Sequence, residues 1–498
     1  MRAFSFLLSS LLLGVSLASP CRPKHPIDGD FIDWRTFKAN GANLGSWLAK
    51  EKTHDPDWWA SLEEGAAATP DEWTLCQVLG DRCGPVLEAR YASFLNTTTI
   101  DDLASVGVNL LRITTTYAAW VDVPGSQFYH GNQVQHLRKI ASYAINKYDM
   151  HIIIGLHSLP GGVNTLDIGE GFGRKNWFFN EDNLEWSYKA VDKILAFIMG
   201  SGTPHKFSIS PINEASDDIT KFATAGGLTV AGGEWVTKYI NGVISRTEAV
   251  DKRIPIVLQD NFKGTEFWAK QFDAKHNLVL SPHVYYFTGE TYPKYTPPAI
   301  CGQGKWMSEQ SKFPTFIGEW SIQTSFANVL EVASRKKLFD TQRFAWKKYA
   351  SGGSFWTAVS YAKSAVRDEG TQRDYWSYVD LIKAGVIKKE STDDELYSPE
   401  RTCCKEILCP CPLISRYLRA ARIPGNGEAG FGVFSDLFAL FGASDKTDEG
   451  MVNVNTSDHK RVSRGPGGSR FYLSAEEGLY SGLAKTTRLR PEVPSLFV

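Results

Sequence analysis

Between about residue 40 and residue 390, short apolar runs alternate with longer amphipathic stretches. This alternation restricts the fold more than any other feature of the chain. The runs read "GANLGSW" (41–47), "VNLLRIT" (108–114), "HIIIGLH" (151–157), "KFSISPINE" (206–214), "IPIVLQD" (254–260), "LVLSPHVYY" (278–286), "FPTFIGEWSI" (313–322) and "GGSFWTA" (352–358). Each is too short for a globular helix and is rich in apolar, β-prone residues, so each predicts a strand. Helical periodicity lies between them, at 134–148, 184–199, 234–250 and 330–350. Strands separated by helices imply a parallel sheet with crossover connections. Eight such units over about 350 residues predict an α/β fold, a closed (β/α)8 barrel. The competing open, doubly wound sheet lacks its phosphate-binding Gly-rich turn after the first run.

The same runs end on polar or aromatic groups: Asn43, Arg112, His157, Asn213 with Glu214, His283 with Tyr285, Glu319, and Trp356. A lone histidine or acid past a strand is readily a structural or solvated residue. In a barrel, however, all strand carboxyl ends converge on one face, where the active site is built. Recurrence from strand to strand therefore points to a site.

Glu214 and Glu319 end the fourth and seventh runs, 105 positions apart, and the barrel sets them facing each other across its mouth. Paired carboxylates with different neighbours are the machinery of glycoside hydrolysis. One stays protonated to donate to the leaving oxygen, and the other is ionised to attack the anomeric carbon. Arg112 is placed to hold Glu319 anionic, and Tyr285 to donate a hydrogen bond to it. That makes Glu319 the nucleophile and Glu214 the acid/base, with carboxyl oxygens about 5 Å apart. Asn213 is placed for the sugar 2-hydroxyl. His157 and His283 are placed for sugar hydroxyls or for holding the acid, and Trp356 for stacking under a pyranose ring. Two carboxylates suffice for this chemistry, so no cofactor and no metal is expected.

This ordered set resembles glycoside hydrolase family 5, a retaining family on the (β/α)8 barrel. Asn213-Glu214 is similar to the family's acid/base pair after strand four, and Glu319 in "GEW" to its nucleophile after strand seven. Arg112, His157, His283, Tyr285 and Trp356 match its other recurring positions. "GANLGSWLAKE" resembles the opening "G-x-N-L-G-G-W-L" of the fungal exo-1,3-β-glucanase branch, and "HSLPGGVN" resembles the rutinosidase-like diglycosidases. The resemblance spans about residues 38–390. Ala215 stands where the family usually has Pro, Thr114 where Pro is common, and Ser46 where the opening run has its second Gly; no catalytic group is lost.

The chain has 498 residues and a formal net charge of −1, so no charge excess favours nucleic acid or an anionic membrane. "MRAFSFLLSSLLLGVSLASP" places one Arg before an apolar stretch and small residues at 16 and 18. It reads as a secretory leader over 1–18, too short for a membrane span. In an oxidising compartment the eight Cys read as disulfides. Cys76 and Cys83 are close enough to close a small loop. Cys301 has no near neighbour in sequence, so it is expected to pair with the cluster Cys403, Cys404, Cys409 and Cys411. Asn96 and Asn455 head glycosylation sequons. The expected organisation is the leader, a barrel domain over 19–395, a Cys-rich segment over 396–424 and a low-order tail over 425–498.

The sequence thus predicts a secreted, extracellular or cell-wall-associated monomer. Its expected activity is retaining β-glycosidase action on β-glucan or a β-glucoside, foremost as a glucan exo-1,3-β-glucosidase. The alternatives are a diglycosidase acting on flavonoid glycosides and a carbohydrate-binding pseudoenzyme. The presence of both Glu214 and Glu319, with Arg112 and Tyr285, argues against the last.

Overall fold

A computed structural model describes residues 29–288, 293 and 296–389. The leader, the 396–424 segment, the tail, Asn455 and the cysteines at 403–411 lie outside the described residues. Seven strands form one parallel sheet: β1 (Ala39–Asn43), β2 (Leu110–Thr115), β3 (His151–Leu156), β4 (Phe207–Ser210), β5 (Ile256–Gln259), β6 (Leu278–Ser281) and β9 (Gly352–Phe355). Their order is β6-β5-β4-β3-β2-β1-β9. Two more, β7 (His283–Tyr286) and β8 (Glu319–Thr324), pair in parallel, with His283 opposite Glu319.

The run that leads into β8 closes the ring. Thr315 bridges Leu280 of β6, and Ile317 bridges Gly353 of β9. Leu280 N–H donates to the Pro314 carbonyl, and Ser354 N–H donates to the Ile317 carbonyl, both at 2.9 Å. The barrel therefore has eight staves, as the alternation predicts, and the sixth is β6 plus β7.

Several boundaries differ from the sequence reading. The sixth run is broken at Pro282, which has no N–H for the ladder; its carbonyl accepts from Gly318 N–H at 2.9 Å. Pro211 likewise ends β4 at Ser210, before the Asn213-Glu214 pair. The first strand begins two residues early and stops at Asn43, because Ser46 has a left-handed backbone, φ 53°. The four predicted helices are found as Gln133–Tyr148, Glu181–Met199, Val230–Asp251 and Val332–Tyr349. Sequence reading did not list the helices Glu72–Leu79, Cys83–Phe94 and Thr97–Ser105 between β1 and β2, nor Thr265–Gln271 and Thr296–Glu309.

Side chains alternate across the staves and make two cores. On the inside, Ala39, Leu110, Ile153, Val257, Val279 and Phe316 pack together, and Trp34 from the segment before β1 plugs that end. Its indole meets the Phe316 ring edge-on at 5.0 Å. On the outside, Leu111, Ile113, Ile152, Ile154, Ile209, Leu258 and Leu280 face the helices. Along β2 this alternation turns Leu110 inward at the plugged end and Arg112 inward two residues nearer the mouth.

Cys76 and Cys83 form a disulfide, as expected. Cys301 is disulfide-bonded too, but the predicted partner cluster lies outside the described residues. Asn96 is exposed and caps the helix Thr97–Ser105, its Oδ1 accepting from Thr98 and Thr99 N–H. No helix among the described residues is long and apolar enough to cross a membrane.

Candidate active site

Arg112 organises the barrel mouth. It is buried, and its guanidinium reaches three staves at once. Nη1 donates to Asn43 Oδ1 at 2.9 Å and to Glu319 Oε1 at 2.6 Å. Nη2 donates to Asn213 Oδ1 at 2.8 Å. Asn43 is oriented for this by its own amide. That amide donates to the carbonyls of Gly318 and Ser354 at 3.0 Å, and of Phe355 at 3.2 Å, which turns the oxygen toward Arg112. Gly318 has a steric reason to be glycine: a Cβ there would lie 2.3 Å from Ser281 Oγ and 3.0 Å from His283 Nε2. Without that close approach, Glu319 would not sit opposite His283.

Glu319 is buried and doubly held. Its Oε1 takes the Arg112 bond, and its Oε2 accepts from Tyr285 Oη–H at 2.8 Å. Burial pushes its carboxyl up from the ordinary value, while the Arg112 charge and the two hydrogen bonds pull it down. Glu214 has no such support. Its Oε1 lies 2.7 Å from His283 Nδ1, and its buried Oε2 meets no protein partner among the described residues. Burial drives its carboxyl well above the ordinary range, and the charge of Glu319 drives it further. His283 is kept neutral by burial and by the Arg112 charge.

The two acids are therefore unlike in the sense that acid/base division of labour requires. Carboxylate oxygens of Glu214 and Glu319, with a ring nitrogen of His283, all lie within 4.8 Å of one another. That spacing belongs to retaining rather than inverting geometry. The same three groups have the spacing of metal ligands, but both oxygens of Glu319 already accept bonds, one from a fixed cation.

The backbone of Glu214 is left-handed, φ 46°, and is pinned from two sides. Its N–H donates to Gln259 Oε1 at 3.0 Å, and its carbonyl accepts from Asn164 Nδ2 at 3.0 Å. Ala215 N–H donates to Asn261 Oδ1 at 2.8 Å. Sequence reasoning missed Gln259, Asn261 and Asn164. For Gln259 a signal existed, since it closes the fifth apolar run as the other polar residues close theirs. Asn164 lies in a long loop and gives none.

Asn43, Arg112, Asn213, Tyr285 and Glu319 thus form one hydrogen-bonded constellation, and the bonded pair Glu214 and His283 lies against it, with His283 Nδ1 3.4 Å from Glu319 Oε2. His157 and Trp356 stack on each other, their rings 5.4 Å apart and 4° from parallel, and burial with the Arg112 charge lowers His157 well below its ordinary value. Trp356 precedes a cis peptide bond to Thr357 and is itself almost wholly buried. A second indole, Trp376, lies flat against Tyr285 at 5.3 Å and 10° and was not singled out from the sequence. Behind His157, a cavity of about 10 Å³, room for about one water, is lined by Lys50, Glu51, Glu72 and Asp167 among others. Burial raises Glu51 well above its ordinary value, Glu72 to about 7 and Asp167 to about 6. It lowers Lys50 to about 8.

No family model matches the chain. Glucan 1,3-beta-glucosidase 1 of Schizosaccharomyces pombe is 31% identical over 431 residues, which cover 79% of this chain and 98% of that protein. The chain belongs to glycoside hydrolase family 5, in its fungal glucanase and rutinosidase branch. Probable glucan 1,3-beta-glucosidase A of Aspergillus niger is 26% identical over 349 residues, covering 69% of this chain and 79% of that one. Among solved structures, the rutinosidase from Aspergillus niger superposes with a TM-score of 0.69 at 44% identity. It covers 72% of this chain and 100% of its own. This family 5 chain is a glycoside hydrolase, and its barrel is the family's barrel.

Proposed function

We propose that this chain is a retaining β-glycosidase that cleaves β-glucosidic bonds by double displacement, with Glu319 as nucleophile and Glu214 as acid/base. The observation that carries the reading is the pair of unlike carboxyls within 4.8 Å. In the first step, protonated Glu214 donates to the glycosidic oxygen while Glu319 attacks the anomeric carbon. The bond to the leaving group breaks and a bond to Glu319 forms. In the second step Glu214, now ionised, takes a proton from water as that water attacks the same carbon and releases Glu319. Asn213, held by Arg112, is the group offered to the 2-hydroxyl, where contacts strengthen in the transition state. His157, His283 and Trp356 line the subsite of the sugar being cleaved.

The preferred substrate is a β-1,3-glucan attacked from its end, in line with the names of the curated relatives. Release of a disaccharide from a flavonoid glycoside is the second reading. It is favoured by the 44% identity to a rutinosidase over that whole structure. Glucose released from laminarin supports the first reading, and an intact disaccharide released from rutin supports the second. The protein is further proposed to be secreted through its leader, to carry glycans at Asn96 and Asn455, and to act as a monomer.

Azide separates the two catalytic roles. Glu214→Ala should retain turnover of an activated aryl glycoside and give the β-azide. Glu319→Ala should be nearly inactive and be rescued to the α-azide. An α product from the Glu214 variant would reverse the assignment.

A further inference from the structure

His54 lies in a short turn after β1, next to no catalytic group, and it matches no feature singled out in the sequence. Yet it is 2% exposed and bonded at both ring nitrogens. Trp356 Nε1–H donates to His54 Nε2 at 3.1 Å. An indole nitrogen can only donate, so Nε2 must be the accepting nitrogen. The ring proton therefore sits on Nδ1, which donates to Ser360 Oγ at 2.8 Å. Ser360 is fully buried, and its oxygen also accepts from Ala362 N–H at 3.3 Å. The turn is tied on its other side, where the His54 carbonyl accepts from Tyr361 N–H at 2.9 Å.

The indole that His54 holds is buried, and His54 Nε2 is the acceptor of its N–H. Gly45 leaves it room, since a Cβ there would lie 2.6 Å from the ring. Its face carries the parallel His157 ring. A rotation of the indole would therefore disturb the His157 ring stacked on it.

We propose that His54 is a positioning residue for the catalytic site: its neutral Nε2 fixes the Trp356 indole, and through that indole the His157 ring, and protonation of the imidazole releases both. This rests on the proposed role of Trp356 and His157 as sugar-binding groups. The imidazole can hold the indole only while it lacks a second proton. Once charged, its Nε2–H would face the indole N–H, and the nearest carboxylate oxygen is Glu51 Oε2 at 3.7 Å. Burial and the nearby Lys50 ammonium keep His54 neutral, lowering it to about 4 against the opposing pull of Asp55. The grip should therefore fail only in acid.

The test compares His54→Gln, whose amide oxygen can still accept from the indole, with His54→Leu, which cannot. Active sites are counted by trapping with a 2-deoxy-2-fluoro-glucoside, so that rates refer to folded enzyme. The indole N–H resonances are followed by NMR, with that of Trp356 assigned from Trp356→Phe. His54→Leu should move the Trp356 resonance and lower kcat/KM about tenfold, the effect of leaving a buried donor unpaired. His54→Gln should stay within about threefold of the wild type. In the wild type the resonance should shift as the pH falls through about 4, and in His54→Gln it should not. A Trp356 resonance that ignores both substitution and acid overturns the proposal. So does a His54→Gln variant as impaired as His54→Leu. If the fluoroglycoside fails to label Glu319, the catalytic assignment fails instead, and the indole shifts still judge His54.

Discussion

Replacing Arg112 by Gln tests the electrostatic logic of the site. The guanidinium makes the 2.6 Å charged bond to Glu319 Oε1 and lies in the field of Glu214 as well. A hydrogen bond between charged groups contributes about 1.5–3 kcal/mol, and 1.36 kcal/mol corresponds to one pKa unit. Losing it should raise the Glu319 carboxyl by about 1–2 units. Arg112 also lowers Glu214, so both limbs of the bell-shaped profile should move to higher pH. The two limbs belong to the coupled pair of acids rather than to either one alone. At the wild-type optimum kcat/KM should fall by about 100-fold or more, because a buried carboxylate is left without its cation. The assay is kcat/KM on an aryl β-glucoside across pH, per site trapped by the fluoroglycoside. A variant that loses activity without moving the acid limb would refute the reasoning, because Arg112 would then be only a brace between Asn43 and Asn213.

Three further outcomes are expected. Tyr285→Phe removes the donor to Glu319 Oε2, so the acid limb should rise by about one unit with near-native stability, read from the same profile. Glu72→Gln should flatten the pH dependence of unfolding. Burial raises the Glu72 carboxyl from 4.5 to about 7, so the fold holds a proton that the unfolded chain releases. Stability from this group is lost as pH rises through that window, by at most about 3 kcal/mol, and denaturant midpoints across pH would report it. Trp34→Ala should cost about 3–5 kcal/mol by emptying the plugged end of the barrel, while kcat per folded molecule stays native because that end is opposite the mouth.

What could be read from the sequence was what strand geometry makes periodic. A stave alternates its side chains between barrel interior and helix layer, so "VNLLRIT" already contains an inward Leu110 and, two residues on, an inward Arg112. Glu319 and His283 were each read as standing at the end of a run, and the structure pairs them in register. Glu214 was found because it too ends an apolar run, the fourth. Its left-handed backbone lies beyond Pro211 and outside any strand, and no periodicity could announce that.

The groups that were missed act at right angles to the chain. Gln259 and Asn261 use their amides to hold the backbone of Glu214 and Ala215 on the neighbouring stave, a contact set by sheet order rather than by local pattern. His54 reaches Trp356 across 302 positions, and Trp376 reaches Tyr285 from a helix that follows the last stave. Gln259 alone closes a strand; Asn261, His54 and Trp376 lie outside any strand, so the rule that pointed to Glu214 and Glu319 was silent about them. The division follows from the architecture. A barrel brings its chemistry together by repeating one local pattern eight times, but it fixes the aim of each group through contacts between turns far apart in sequence. Local pattern therefore reveals which residues meet at the mouth, and only the folded chain reveals that Arg112 and Tyr285 both bond Glu319, that burial and the Glu319 charge raise Glu214, and that the Trp356 indole donates to His54.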